Sequence, residues 1–190
     1  MTIHVTQSAE GLPRRAFTVA DAYRLVETGI IGEDERFELI GGEIVPMSAK
    51  NIRHERIKSE LNLYLADRRN ECGFKHTPET TFILSEDTFV EPDFVLYRPE
   101  PGLEGLSPQT VLLAIEVADT SLSYDRGRKA QLYAAHGIGE LWVIDVRSTA
   151  IIVHREPGPI GYRHVEEHDA ASTVRAAFID GLTLRLEDIA

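Results

Sequence analysis

The period of apolar residues changes several times along the chain, and each change marks an element. Val111-Leu112-Leu113-Ala114-Ile115-Glu116-Val117 is apolar on both parities except for Glu116. A run that short and aliphatic reads as a central strand covered on both faces. Phe17 to Asp21 opens a helix with Thr18 as its N-cap, and Gly29 closes it at a C-cap position. Arg36 to Ile40 and Glu43 to Met47 flank Gly41-Gly42, a two-residue hairpin signal. That turn places Phe37, Leu39 and Ile44 on one face and Glu38, Ile40, Glu43 and Val45 on the other. From about Asn51 to Asn70, Ile57, Leu61, Tyr64 and Leu65 fall at helical spacing.

Gly73 ends that helix, and Phe74 to Leu84 reads as one strand with Pro78 as an irregularity. Ser85-Glu86-Asp87 turns into a strand around Val90 to Tyr97, and a Gly/Pro-rich loop spans Pro99 to Pro108. After the central strand, Asp125 to His136 reads as a helix with Leu132 and Tyr133 inward and Gly137 at its end. Leu141 to Ile144 continues as a strand into Asp145. Ile151 to His154 and Tyr162 to Val165 form a hairpin across Pro157-Gly158-Pro159, and a short segment from Leu182 to Ile189 ends the chain. The order around Glu116 is helix, strand, strand, strand, helix, strand: an α/β layout with a mixed sheet, helices on its faces and extra β-hairpins.

A length of 190 residues predicts a single domain over 1–190, with 1–16 as a potentially flexible N-terminal extension. Met1 to Ala16 mixes His, Gln, Glu and Arg with few apolar residues, so no signal peptide is expected there. No apolar run approaches the roughly 20 residues of a membrane span. Cys72, the one cysteine, excludes an intrachain disulfide and a Cys-based zinc cage, and the expected location is cytoplasmic. The net charge of −11 is the wrong sign for loose association with a phosphate backbone. Basic residues nevertheless cluster at Lys50-Arg53-Arg56-Lys58, Arg68-Arg69 and Arg126-Arg128-Lys129.

Charge matters most at Glu116. A carboxylate is rarely buried unless something positive holds it, because desolvation costs several kcal/mol. Asp93 follows Pro92 at the head of the strand-like run Asp93-Phe94-Val95-Leu96-Tyr97. If both acids point to one side of neighbouring strands, they form a hard oxygen pair suited to Mg²⁺ or Mn²⁺. Ala118 follows Val117, so no lysine stands two residues after Glu116, and Lys129 on the next helix is the nearest donor. Each residue also has a plainer reading. Glu116 reaches solvent if its strand ends early; Asp93 is a strand-entry turn residue after a proline. Lys129 lies four residues after Asp125, the spacing of a surface salt bridge. His54 shares the inward helical face with Leu61, where a hydrogen-bonded histidine is the default. Tyr133 and Trp142 read as core, and Asp119 and Asp125 as helix caps. His164 and His168 fall in a strand-like or turn region, where their spacing predicts no metal site.

The ordered set of residues has a family likeness. Pro92-Asp93 followed by Glu116-Val117-Ala118 looks like the PD-(D/E)xK nuclease pattern. The longer set resembles the Uma2 family of predicted endonucleases: Phe37-Glu38-Leu39-Ile40-Gly41-Gly42-Glu43-Ile44, His54, Pro92-Asp93, Ile115-Glu116-Val117, Asp125, Lys129, Tyr133, Gly137-Ile138 and Leu141-Trp142-Val143-Ile144-Asp145. That resemblance runs from about Thr18 to the end. It implies a restriction-endonuclease-like core (α-β-β-β-α-β) and a metal-dependent endonuclease acting on DNA. It further implies that Asp93, Glu116 and the Val117 carbonyl bind the metal, and that Lys129 takes the displaced motif lysine's place, with His54 auxiliary. Glu43 and Glu55 are both candidates for a further acid. A homodimer fits duplex cleavage, which needs two cuts. The competing expectation is a non-catalytic interaction or regulatory protein on an inherited nuclease fold, to which the negative charge and the lack of a DNA-recognition module point.

Overall fold

A computed structural model describes residues 5–7, 11–47 and 51–189. Lys50 of the basic cluster and residues 1–4 and 8–10 of the N-terminal extension lie outside the described residues. Within that extension β1 (Val5–Gln7) pairs antiparallel with β2 (Pro13–Arg15). Helix α1 (Val19–Glu27) begins with a reciprocal capping box: the Thr18 side chain accepts from the Asp21 N–H, and the Asp21 carboxylate from the Thr18 N–H. Gly29, at φ 71°, follows the Thr28 C-cap. The hairpin forms in the expected register, β3 (Phe37–Ile40) against β4 (Glu43–Pro46), with Leu39 opposite Ile44. Gly41 and Gly42 both take positive φ, 57° and 79°. At Gly42 space is as decisive as conformation, because a Cβ there would lie 2.5 Å from the Ala16 Cβ.

Helix α2 (Ile52–Arg68) starts at Asn51, whose side chain accepts from the Arg53 and His54 N–H groups. The expected strand from Phe74 to Leu84 is two strands, β5 (Lys75–Pro78) and β6 (Phe82–Ser85), broken beyond Glu79 at φ 47°. The next expected strand also divides, into β7 (Thr88–Val90) and β8 (Phe94–Tyr97), with Pro92 in the gap. Pro92 cannot donate to a ladder, and at both gaps the chain passes from one sheet to the other. Strand β9 (Val111–Ala118) is buried along its whole length.

The helix expected over Asp125 to His136 starts earlier. It begins as α3 (Leu122–Tyr124), passes through a π turn over Asp125–Lys129 and ends as α4 (Ala130–Ala135). Tyr133 is fully buried as expected, whereas Leu132 is only half-buried and Ala130 and Ala134 complete the inner face. Strand β10 (Glu140–Asp145) follows, then a hairpin longer than the pattern suggests, β11 (Ala150–Gly158) and β12 (Gly161–Asp169). A small pair, β13 (Val174–Arg175) and β14 (Thr183–Leu184), precedes the closing turn at Leu186–Asp188.

Contacts divide the chain into two compact units. One comprises Met1–Ala49 and Thr81–Glu91. Its sheet runs β4-β3-β7-β6 around Val19, Ala22, Leu39 and Phe89. The other, Lys50–Thr80 and Pro92–Ala190, carries a six-stranded sheet in the order β12-β11-β10-β9-β8-β5. Strands β9 and β10 are parallel and the other neighbours antiparallel, so the sheet is mixed. Ile57, Leu61 and Leu65 of α2 pack with Phe94, Leu113 and Ile115 of the sheet. The succession α2, β5, β8, β9, α3–α4, β10 is the expected α-β-β-β-α-β core. Among the described residues no helix is long and apolar enough to cross a membrane.

Candidate functional site

The second unit brings the two acids together. Along β9 alternation puts Ala114, Glu116 and Ala118 on one face, and the two alanines leave room beside Glu116 for longer side chains. Lys129 and Tyr133, one helical turn apart on the next helix, reach into that room. Lys129 Nζ lies 2.9 Å from Glu116 Oε1, and the Tyr133 hydroxyl donates to the same oxygen at 2.6 Å. Glu116 is 3% exposed and Lys129 4% exposed. The early-ending strand and the surface-bridge reading of Lys129 are thereby both corrected: Glu116 stays inside, and the lysine spends its charge there.

Asp93 enters from the head of β8. Its Oδ2 accepts from the Val117 N–H at 2.8 Å, tying it to the strand of Glu116. A strand residue's N–H and C=O lie along the same edge, so the Val117 carbonyl also faces the edge where Asp93 stands. His54, one turn into α2, holds its Nε2 3.1 Å from the Asp93 carboxylate and its Nδ1 3.2 Å from Glu55 Oε1. Lys58 then joins Glu55 to Glu79, at 3.0 Å from each. Glu55's burial pushes its carboxyl up, but donation from Lys58 and His54 leaves it below its ordinary value. Burial works against the Lys58 charge in the same way, and Glu79 and Glu55 hold it above its ordinary value. Glu79 N–H donates to the Asp93 carbonyl at 3.3 Å, closing the connection.

Electrostatics set Glu116 apart. Burial pushes its carboxyl up to about 8; Lys129 opposes this, while the charges of Asp125 and Asp93 add to it. Three acids thus crowd a dry place, the condition a divalent cation relieves. Among the described residues no three His, Cys, Asp or Glu side chains stand close enough to cage an ion by themselves. What the site could offer is two carboxylates and a main-chain carbonyl, with the remaining positions left to water. That sparse oxygen set suits Mg²⁺, which keeps several waters and usually takes one or two carboxylates.

The other sequence candidates divide. Glu55 is joined to Asp93 through His54, whereas Glu43 belongs to the first unit, at the start of β4. Asp119 does not cap a helix: its carboxylate accepts from Arg147 Nε and Asn51 Nδ2, each at 2.6 Å, and those bonds, Arg147's first, hold it below its ordinary value. Asp125 is buried at the start of the π turn. Trp142 is core, as expected, donating to Glu140. His164 and His168 fall on β12, and their Nε2 atoms lie 3.0 and 3.6 Å from the Glu166 carboxylate. Three participants went unread in the sequence: Tyr133 as a donor, the Lys58–Glu79 extension, and the Asn51–Asp119–Arg147 clasp. Tyr133 had a signal, since it follows Lys129 by four residues on one helix.

The sequence pattern of the Uma2 family, described as "Putative restriction endonuclease", matches residues 20–187. The chain belongs to the Uma2 family. Among solved structures, this Uma2 chain is similar to a "putative nuclease belonging to DUF820 from Anabaena variabilis ATCC 29413". The TM-score is 0.66 at 18% identity, over 91% of this chain and 97% of that one. The type IIG restriction endonuclease BpuSI overlaps more loosely, with a TM-score of 0.38 at 16% identity, over 57% of this chain and 12% of that one. None of the curated proteins matches the chain. The family description points to a nuclease, and the fold is of the restriction-endonuclease-like type.

Proposed function

We propose that this chain is a metal-dependent endonuclease that hydrolyses phosphodiester bonds in DNA, working in the cytoplasm as a homodimer. The observation that carries the reading is the desolvated Asp93–Glu116 pair beside Lys129 on a nuclease fold. Asp93, Glu116 and the Val117 carbonyl are the residues that would hold Mg²⁺ or Mn²⁺. The bound ion supplies polarisation of the phosphate and a more acidic water. Asp93 is oriented before any ligand arrives, by the Val117 N–H and by His54 backed by Glu55. Lys129 is fixed at 2.9 Å from Glu116, where its ammonium orients the attacking water or meets charge building on the phosphate. Its π turn keeps the ammonium inward, and π turns recur at functional sites.

Cleavage of plasmid DNA in Mg²⁺ tests the proposal. Wild-type protein should nick or cut, and Asp93→Ala should lose at least about a hundredfold in rate. An Asp93→Ala protein with wild-type rate would sink it. Two observations favour a second reading, a non-catalytic interaction protein: Glu116 already has two donors of its own, and the whole chain carries −11. Calorimetric titration with Mn²⁺ separates the two, since absence of binding at millimolar metal favours the second.

A further inference from the structure

Strand β12 forms one edge of the six-stranded sheet and pairs only with β11 among the described strands. Nine residues long, it is exposed over Arg163–Glu167. An open edge of that length invites another strand, and proteins usually guard such edges with charged side chains. The charges here also match one another. The order Arg163-His164-Val165-Glu166-Glu167 is self-complementary when reversed about its centre.

We infer that β12 pairs antiparallel with β12 of a second copy of this chain about a two-fold axis at Val165, joining the two six-stranded sheets into one. In that register Arg163 faces Glu167 of the partner subunit, and His164 faces Glu166 of the partner subunit. Val165, 49% exposed in the single chain, meets the partner's Val165. Opposite-charge pairs directly across a ladder stabilise it, and like pairs do the reverse. Shifting the axis by one residue either way spoils the match: centring on His164 sets two histidines face to face, and centring on Glu166 sets two glutamates face to face. Arg163 and Glu167 support the same choice, because neither has an ion-pair partner among the described residues of its own chain. Both backbone settings of Val165, toward β11 or toward the open edge, allow a two-fold ladder through it.

This gives the proposed homodimer its surface. It rests on the dimeric part of that reading, not on the chemistry at Asp93 and Glu116. The test is light scattering on the full chain after size exclusion. Wild-type protein should show twice the 21.2 kDa chain mass. Arg163→Glu, which sets Glu against Glu twice per interface, should raise the dimer dissociation constant by about tenfold or more. The double swap Arg163→Glu with Glu167→Arg should bring the dimer back, and circular dichroism should show all three proteins equally folded. A monomeric wild type, a dimer indifferent to Arg163→Glu, or a swap that fails to restore it each overturns the inference. Mn²⁺ titration of the Arg163→Glu protein keeps the two readings apart. Metal binding by that protein leaves the nuclease reading standing whatever its mass, and its loss counts against the separation drawn here between surface and chemistry.

Discussion

Replacing Glu116 with Gln removes a carboxyl whose ionised form the fold resists. Glu116 is 3% exposed, and burial lifts its carboxyl from 4.5 to about 8, against the pull of Lys129. The folded chain therefore holds this proton more tightly than the unfolded chain. Stability from this group is complete below pH 4.5 and is lost as pH rises through about 8. At 1.36 kcal/mol per pH unit, the ceiling on that loss is about 5 kcal/mol. Gln keeps an acceptor for the Tyr133 hydroxyl and carries no charge, but it leaves Lys129 without this partner, which takes part of the gain back. The net expectation is that Glu116→Gln gains about 1–3 kcal/mol on wild type between about pH 5 and about pH 8.5. Urea unfolding followed by Trp142 fluorescence in a chelator measures it at both values. Parallel pH dependence in the two proteins would refute the electrostatic argument. Saturating Mn²⁺ should raise the stability of wild type, and the same substitution should abolish that rise, since only the native state would bind the ion.

Two further predictions lie away from the centre. Burial, with Arg126 nearby, holds the His154 imidazole down to about 4, and its Nε2 is buried without a hydrogen-bond partner. The folded state thus takes up its proton later than the unfolded chain, so stability should fall by up to about 3 kcal/mol as pH drops from 6.5 to about 4. His154→Leu should flatten that slope in acid urea melts, and an unchanged slope would contradict the assignment. Glu140, fully buried, accepts from Trp142 at 2.9 Å, from Arg155 at 2.9 and 2.7 Å, and from the Ala177 N–H at 2.7 Å. Glu140→Gln should cost about 3–5 kcal/mol and shift Trp142 emission, and a loss below about 1 kcal/mol would show that the pairing is weak.

Much of this architecture was legible because local rules and tertiary demands agree. Glu116 stands out because nothing else interrupts the apolar run of β9, and Gly41-Gly42 declares a turn that few other residues could form. Strand breaks were harder to see. Between Phe74 and Leu84, and again before Tyr97, the gaps are only three residues long, Glu79-Thr80-Thr81 and Glu91-Pro92-Asp93, and apolar residues resume at once while the chain moves from one sheet to another. Only Pro78 and Pro92 mark the change, and a proline by itself does not say whether a strand bends or stops. The π turn was hidden for a related reason, since helical spacing places Lys129 on a face but does not tell a fourth-residue bond from a fifth. At the site, sequence pattern named the acids and the lysine that the fold brings together. It missed Tyr133, whose ring satisfies the core while its hydroxyl serves Glu116, and it missed the clasp from Asn51 through Asp119 to Arg147, whose members are far apart in the chain. Such long-range polar pairs leave no periodic trace.

The central claim is that Asp93 and Glu116 share a divalent cation. Crystals of the wild-type chain soaked in Mn²⁺, with data collected where manganese scatters anomalously, address it most directly. The account predicts an anomalous peak between the two carboxylates, within ligand distance of the Val117 carbonyl, with Lys129 still beside Glu116. Saturating Mn²⁺ with no peak there, and Lys129 and Tyr133 unmoved on Glu116, would contradict it.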